Sequence, residues 1–191
     1  MWALVQDGTV TKTFNYAKGF VLNDTQYPAD IFTKWSKEEK EAIGVYEVIV
    51  DKTNYKDPAY YNNTDSTIAF ANNQVTESWG TATARRLVDE NAVDEDGNPV
   101  LEDGVQVINY GLKTEKKRIV KNQAAGLLAK TDWYVVKATE VADYTVPADI
   151  TTYRAAVRTK SNQMETAIDG AANVDALKAL YEYTNLSLIH I

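Results

Sequence analysis

Arg154 and Arg158 stand four residues apart in "TYRAAVRTK", so on a helix both guanidinium groups leave from one side. Such a pair can clamp a carboxylate or a phosphate. It can equally bridge Asp or Glu on neighbouring helices, the simpler reading in a net-acidic chain. Upstream, Asp132, Trp133 and Tyr134 set a carboxylate beside two aromatic rings. The rings can form a ligand platform, although a Trp beside a helical hairpin more often fills core. "DEDGN" at 94–98 has the opening of a calcium loop, but the twelfth position, where a bidentate acid is required, is Val105. The stretch therefore reads as a solvated turn. "KTEKKRIVK" at 113–121 gathers five cations that can meet phosphate or an acidic partner. On a helix carrying Ile119 and Val120, those cations more simply form the wet face.

Catalysis has less to build on. The chain has no Cys, and its one histidine, His190, lies in the closing "LSLIHI". Residues 186–191 read as a translated adapter sequence, a non-native tail. Without them the chain offers neither an imidazole base nor a thiol nucleophile. Zinc-ligand spacing and a G-x-x-x-x-G-K-[ST] phosphate loop are both missing. The 27 acids leave carboxylate chemistry formally open, yet no spacing selects a pair. The expectation is a protein that is not an enzyme, with no cofactor and no metal.

The elements that must position these residues follow from patterning. At 191 residues, 45% of them hydrophobic, the chain suits one domain or two small ones with a real core. Asp7-Gly8, Asn23-Asp24 and Asn72-Asn73 each sit between β-branched or aromatic runs, the mark of two-residue hairpins. Pro28 ends the second pairing. In "SKEEKEAIG", Ser36 and Glu39 make a capping box and Gly44 fits the position after the helix. "VYEVIV" at 45–50 is a strand, and "TATARRLV" continues the sheet. Residues 51–66 form a polar loop whose Tyr55, Tyr60 and Tyr61 are candidates for an exposed interface.

The texture changes near Asn91. Residues 91–109 read as an acidic linker or an exposed hairpin turning at 96–99. Helical text follows, with Leu112, Ile119, Val120, Gln123, Leu127 and Leu128 near one stripe. Asp149 can cap a second helix, lined by Ile150, Tyr153, Val157, Met164 and Ile168. Asn173 can cap a third, with Gly170 dividing the two. The fold class is α+β: an antiparallel meander with one short helix over 1–90, one buried face and one wet, then about three helices over 110–185. Asp132 and Trp133 should steady the turn between helices, with Tyr153 packed towards Trp133.

Net charge is −7, which disfavours nucleic acid. No run of about 18 apolar residues predicts a membrane span. The N-terminus reaches Asp7 and Gly8 before any long apolar run, so no secretory leader is expected. On that reading the N-x-[ST] sequons at Asn23, Asn62 and Asn185 are chance.

"LLAKTDWYVVKATE", "VPADITTYRAAVRTK" and "NVDALKALYEY" together resemble the C-terminal part of tail fibre assembly proteins and related tail-associated proteins of tailed phages. The text from "MWALVQDGTVTKTF" to "SWGTATARRLVDE" is similar to uncharacterised marine phage and environmental proteins. The resemblance places Asp132, Trp133, Pro147, Tyr153, Arg154 and Arg158 at family motif positions and attaches no catalytic role to them. It implies an assembly chaperone whose partner is a tail fibre or other tail protein, acting in the bacterial host cytoplasm. The alternative is a permanent virion component, a fibre-to-tail adaptor or host-binding tip. A glycan-cleaving enzyme would need an acid pair that the spacing does not supply. The long N-terminal β region departs from the family pattern.

Overall fold

The computed structural model describes residues 1–182; the Asn185 sequon, His190 and the expected tail at 186–191 lie outside the described residues. The chain is α+β and divides into two compact units, residues 1–83 and 84–191. No helix among the described residues is long and apolar enough to cross a membrane.

The first unit opens with the hairpin β1 (Trp2–Gln6) and β2 (Thr9–Phe14), then β3 (Phe20–Leu22) and β4 (Thr25–Tyr27). Two short helices follow, α1 (Ile31–Lys34) and α2 (Lys37–Ala42). The remaining strands are β5 (Val45–Asp51), β6 (Tyr61–Asn62), β7 (Ser66–Ala71), β8 (Gln74–Trp79) and β9 (Thr83–Ala84). All three expected hairpin turns form, with positive φ at both central residues of each. The capping box forms too: Glu39 N donates to Ser36 Oγ and Ser36 N to the Glu39 carboxylate. Gly44 follows at φ +78°, where a Cβ would lie 2.5 Å from the Val5 carbonyl oxygen.

The expected antiparallel meander is corrected in one respect. The five-stranded order is β2-β1-β5-β8-β7, and β5 pairs with β8 in parallel. β8 is the better buried of the last two strands, with Val75 fully buried, so it takes the inner place and leaves β7 at the edge. A second correction concerns the faces. One side buries Leu4, Phe14, Phe20, Ile31, Phe32 and Val45 beneath α1 and the β3–β4 hairpin. The other side is not wet: β2 and β7 approach each other, and the sheet curls around Ala3, Val48 and Val75. The helix α1 is an addition that the sequence reading lacked; it buries Ile31 and Phe32. "TATARRLV" does not extend the main sheet, since β9 pairs with β6 in a separate ladder.

The second unit begins with a β arm: β10 (Glu90–Asn91), β11 (Leu101–Glu102), β12 (Val105–Gln106) and β13 (Ile108–Asn109). β10 pairs with β13 and, inside that loop, β11 pairs with β12 across Asp103-Gly104. The hairpin alternative for 91–109 therefore holds, with a second turn added. The Gln106 amide donates to the carbonyls of Ala92 and Val107 at 2.8 Å and of Val100 at 3.2 Å, tying the nested loops together.

"DEDGN" is the turn expected. Asp94 Oδ1 accepts the N–H groups of Asn98 and Asp96. These bonds, Asn98's backbone donor foremost, hold the Asp94 carboxyl below the ordinary Asp range. The turn is thus stabilised above that range, and the stabilisation is lost as pH falls through the lowered folded value. The Asn98 amide resonance is expected to titrate below the ordinary Asp value, and Asp94→Asn is expected to abolish the step. A midpoint at or above the ordinary value would contradict this.

Among the described residues four helices complete the unit: α3 (Leu112–Ala129), α4 (Asp132–Glu140), α5 (Ala148–Gly170) and α6 (Val174–Glu182). That is one more than expected, because "DWYVVKATE" is itself helical. The buried stripe of α3 is Leu112, Val120 and Ala124, spaced by fours, so Ile119 and Gln123 face solvent. On α5 the buried positions are Arg154, Val157, Ser161, Met164 and Ile168. Asp149 does not cap α5; Pro147 occupies the N-cap and Asp149 sits in the first turn, favourable to the helix dipole. Asn173 does cap α6, accepting the Ala176 N–H at 2.8 Å.

The start of α3 is held by the segment before the arm. Arg86 and Leu87 carbonyls accept the Leu112 and Lys113 N–H groups, and Asp89 accepts from Gly111 N and Thr114 Oγ1. A Cβ on Gly111 would lie 2.5 Å from the Val88 backbone. Gly111→Ala is expected to destabilise the second unit by about 1–3 kcal/mol through this overpacking, read by urea unfolding.

Candidate interaction surface

α3 and α5 run antiparallel, joined by their apolar stripes and by cations of α3. Lys113 donates to the Asp169 carbonyl, Lys117 pairs with Asp169 at 2.8 Å and Lys121 with Glu165 at 3.3 Å. The Asp169 hydrogen bond, aided by its charge and that of Glu165, raises Lys117 above the usual Lys range. The basic run is therefore largely a bridge between helices rather than a freely solvated face. A groove of about 560 Å³ runs along it, lined by Thr114, Glu115, Lys117, Arg118 and Lys121; two of its three cations, Lys117 and Lys121, are already paired with those acids.

The break between α3 and α4 is where the motif residues meet. Thr131 Oγ1 donates to the Leu128 carbonyl at 2.9 Å. Arg154 reaches across from α5: its Nη1 donates to Leu128 O at 2.9 Å and to Thr131 Oγ1 at 2.7 Å. Its Nη2 pairs with Asp132 Oδ1 at 2.8 Å. The guanidinium is buried while the Asp132 side chain is mostly exposed. One planar fork thus satisfies a carbonyl at the end of α3 and a carboxylate at the start of α4. Among the described residues no buried side-chain nitrogen or oxygen is left without a partner.

Beyond this latch α4 buries no side chain. Trp133 is 52% exposed, Val136 51% and Val135 40%, so the expectation of Trp133 in the core is corrected. Trp133 and Val136 are three residues apart and share a face. The Trp133 ring lies 3.7 Å from that of Tyr134, and the Lys137 ammonium sits 4.3 Å from the Tyr144 ring. No ring contact joins Trp133 to Tyr153 among the described residues, which corrects the expected packing. Pro147 is exposed ahead of α5, and Tyr153 is half-buried. Arg158 is exposed and makes no ion pair among the described residues, so it does not form a clamp with Arg154.

The second set of candidates divides. Tyr55 is exposed and meets Trp79 edge-on at 5.1 Å. Tyr60 and Tyr61 are buried, contrary to the expected tyrosine interface. The loop folds back on itself: the N–H groups of both residues bond to the Asp57 carbonyl, and Asn63 bonds Lys56 twice. Sequence reasoning missed Thr131 and the Val135–Val136 pair. The available signal was a Thr-Asp step before an apolar run, a helix start. Comparison of the chain with protein-family models, curated proteins and solved structures finds no match.

Proposed function

We propose that this chain is a non-catalytic assembly factor for a phage tail fibre, and that it engages the fibre polypeptide through the exposed face of α4. One observation carries the reading: a helix written in Trp, Tyr and Val buries none of them, while its first residue is fastened by a buried arginine. A helix that packs against its own chain buries its apolar residues. Exposed, pre-oriented Trp and Tyr are the residues that dominate protein interfaces. The resemblance of 127–183 to tail fibre assembly proteins supplies the partner.

The test is co-expression with the tail fibre protein encoded beside this chain. Soluble, trimeric fibre should rise in yield and co-purify. Trp133→Ser with Val136→Ser is expected to weaken the association by about 2 kcal/mol or more. Because both side chains are exposed, the fold should change in stability by no more than about 0.5 kcal/mol. Unchanged fibre yield without co-purification would count against the proposal. Stoichiometric presence in purified particles would reassign the protein to the virion itself.

A further inference from the structure

The β arm leaves a second surface uncovered, on a different part of the second unit. Val88, Val93, Leu101, Val105, Ile108 and Tyr110 are all exposed, from 43% at Ile108 to 69% at Val105. Within 90–106 the one buried apolar residue is Ala92. Its two-stranded ladders are joined at Val93–Pro99 and through Ala92 to Val100 and Val107, and beyond those bonds the strands keep an edge outside any ladder. Short two-stranded ladders of this kind are marginal by themselves. Exposed apolar side chains clustered on such ladders mark a place where another polypeptide adds.

Charge decides which polypeptide. Residues 87–112 hold seven acids and no Lys, Arg or His, which equals the net charge of the whole chain, so the remainder is neutral. Three of the seven are occupied: Asp89 holds the start of α3, Glu90 pairs with Arg86, and Asp94 closes its own turn. Glu95, Asp96, Glu102 and Asp103 are exposed at the two turns and make no ion pair among the described residues. A second copy of this arm would bring like charges together, which costs association. Nucleic acid and anionic membrane are repelled in the same way.

We infer that the β arm docks an extended segment of another polypeptide in which apolar side chains alternate with Lys or Arg. An extended strand carries alternate side chains on opposite faces. Added to a ladder edge, it gives main-chain hydrogen bonds while its apolar face covers Leu101 and its opposite face lies on the side of Glu102, since Leu101 pairs with Gln106 and Glu102 with Val105. Its cations then meet the acids of the turns. This surface does not depend on α4, so it stands or falls apart from the fibre-binding proposal.

The experiment titrates the isotope-labelled full chain with three short synthetic peptides: alternating Val–Lys, alternating Val–Glu and alternating Ser–Lys. The Val–Lys peptide is expected to move amide signals within 88–110 and to bind about tenfold tighter than either control. Leu101→Ser should reduce it to the level of Ser–Lys. Glu95→Lys with Glu102→Lys should invert the preference towards Val–Glu. Every substituted side chain is exposed, and the amide spectrum of each variant reports its folding directly. Equal binding of Ser–Lys and Val–Lys, shifts outside the arm, or no binding of Val–Lys would overturn the inference.

Discussion

Arg154→Met is expected to destabilise the second unit by about 2–3 kcal/mol and to free the amides of 131–140 to exchange. Replacing a buried ion pair by apolar groups is often neutral, so the sign has to be argued. Here only one partner is a charge, and Asp132 is mostly exposed, so that pair is worth about 1 kcal/mol or less. The larger loss falls on the two charge-assisted bonds to Leu128 O and Thr131 Oγ1, which are left with only each other and nearby backbone N–H groups as partners. Methionine replaces the aliphatic stem, so packing changes little. Asp132→Asn should therefore cost far less than Arg154→Met. Arg154→Lys should fall between them, because an ammonium lacks the planar fork. Urea unfolding gives the totals and hydrogen exchange locates them. Equal effects of Asp132→Asn and Arg154→Met would show that the exposed ion pair alone fastens α4, and the latch as described would fail.

Phe32→Ala should cost the first unit about 3–5 kcal/mol. Phe32 stands at the centre of the aromatic cluster, with ring centroids 4.8 Å from Trp2, 5.1 Å from Phe14 and 6.1 Å from Phe20. It is 4% exposed, so truncation leaves a cavity bounded by rigid rings from two strands and a hairpin. Ile43→Val, on the rim of the same cluster, gives the comparison and should cost no more than about 1.5 kcal/mol. The readout is the midpoint of thermal or urea unfolding followed by tryptophan fluorescence, since Trp2 and Trp35 border the cluster. A loss below that of Ile43→Val would mean that the cluster is not the core of the unit.

Local chemistry was the legible part of this sequence. Asp7-Gly8, Asn23-Asp24 and Asn72-Asn73 announce hairpins because few residues tolerate positive φ at two successive positions, and all three form. Ser36 with Glu39, and Asn173 before α6, are legible for the same reason: a cap is a bond between near neighbours. Strand order was not legible. Whether β7 or β8 lies beside β5 depends on burial against residues far along the chain, and β-propensity is silent on it. The motif residues gave a half-answer. Asp132 and Arg154 do meet, but Arg154 also bonds Leu128 O and Thr131 Oγ1; the Thr-Asp step marks a helix start, and nothing in the text marks either atom as a partner of an arginine 23 to 26 residues away. Large aromatics usually fill core, and within the unbroken run Trp133–Val136 no rule of spacing tells an outward face from an inward one.

The meeting of β2 with β7 has a consequence for behaviour in crowded surroundings. Open sheets invite neighbours to stack on through their outermost strands, the route to fibrous precipitates. With its two outermost strands turned towards one another, the first unit withholds that template. Accumulation to high local density should then proceed without runaway polymerisation seeded from this sheet.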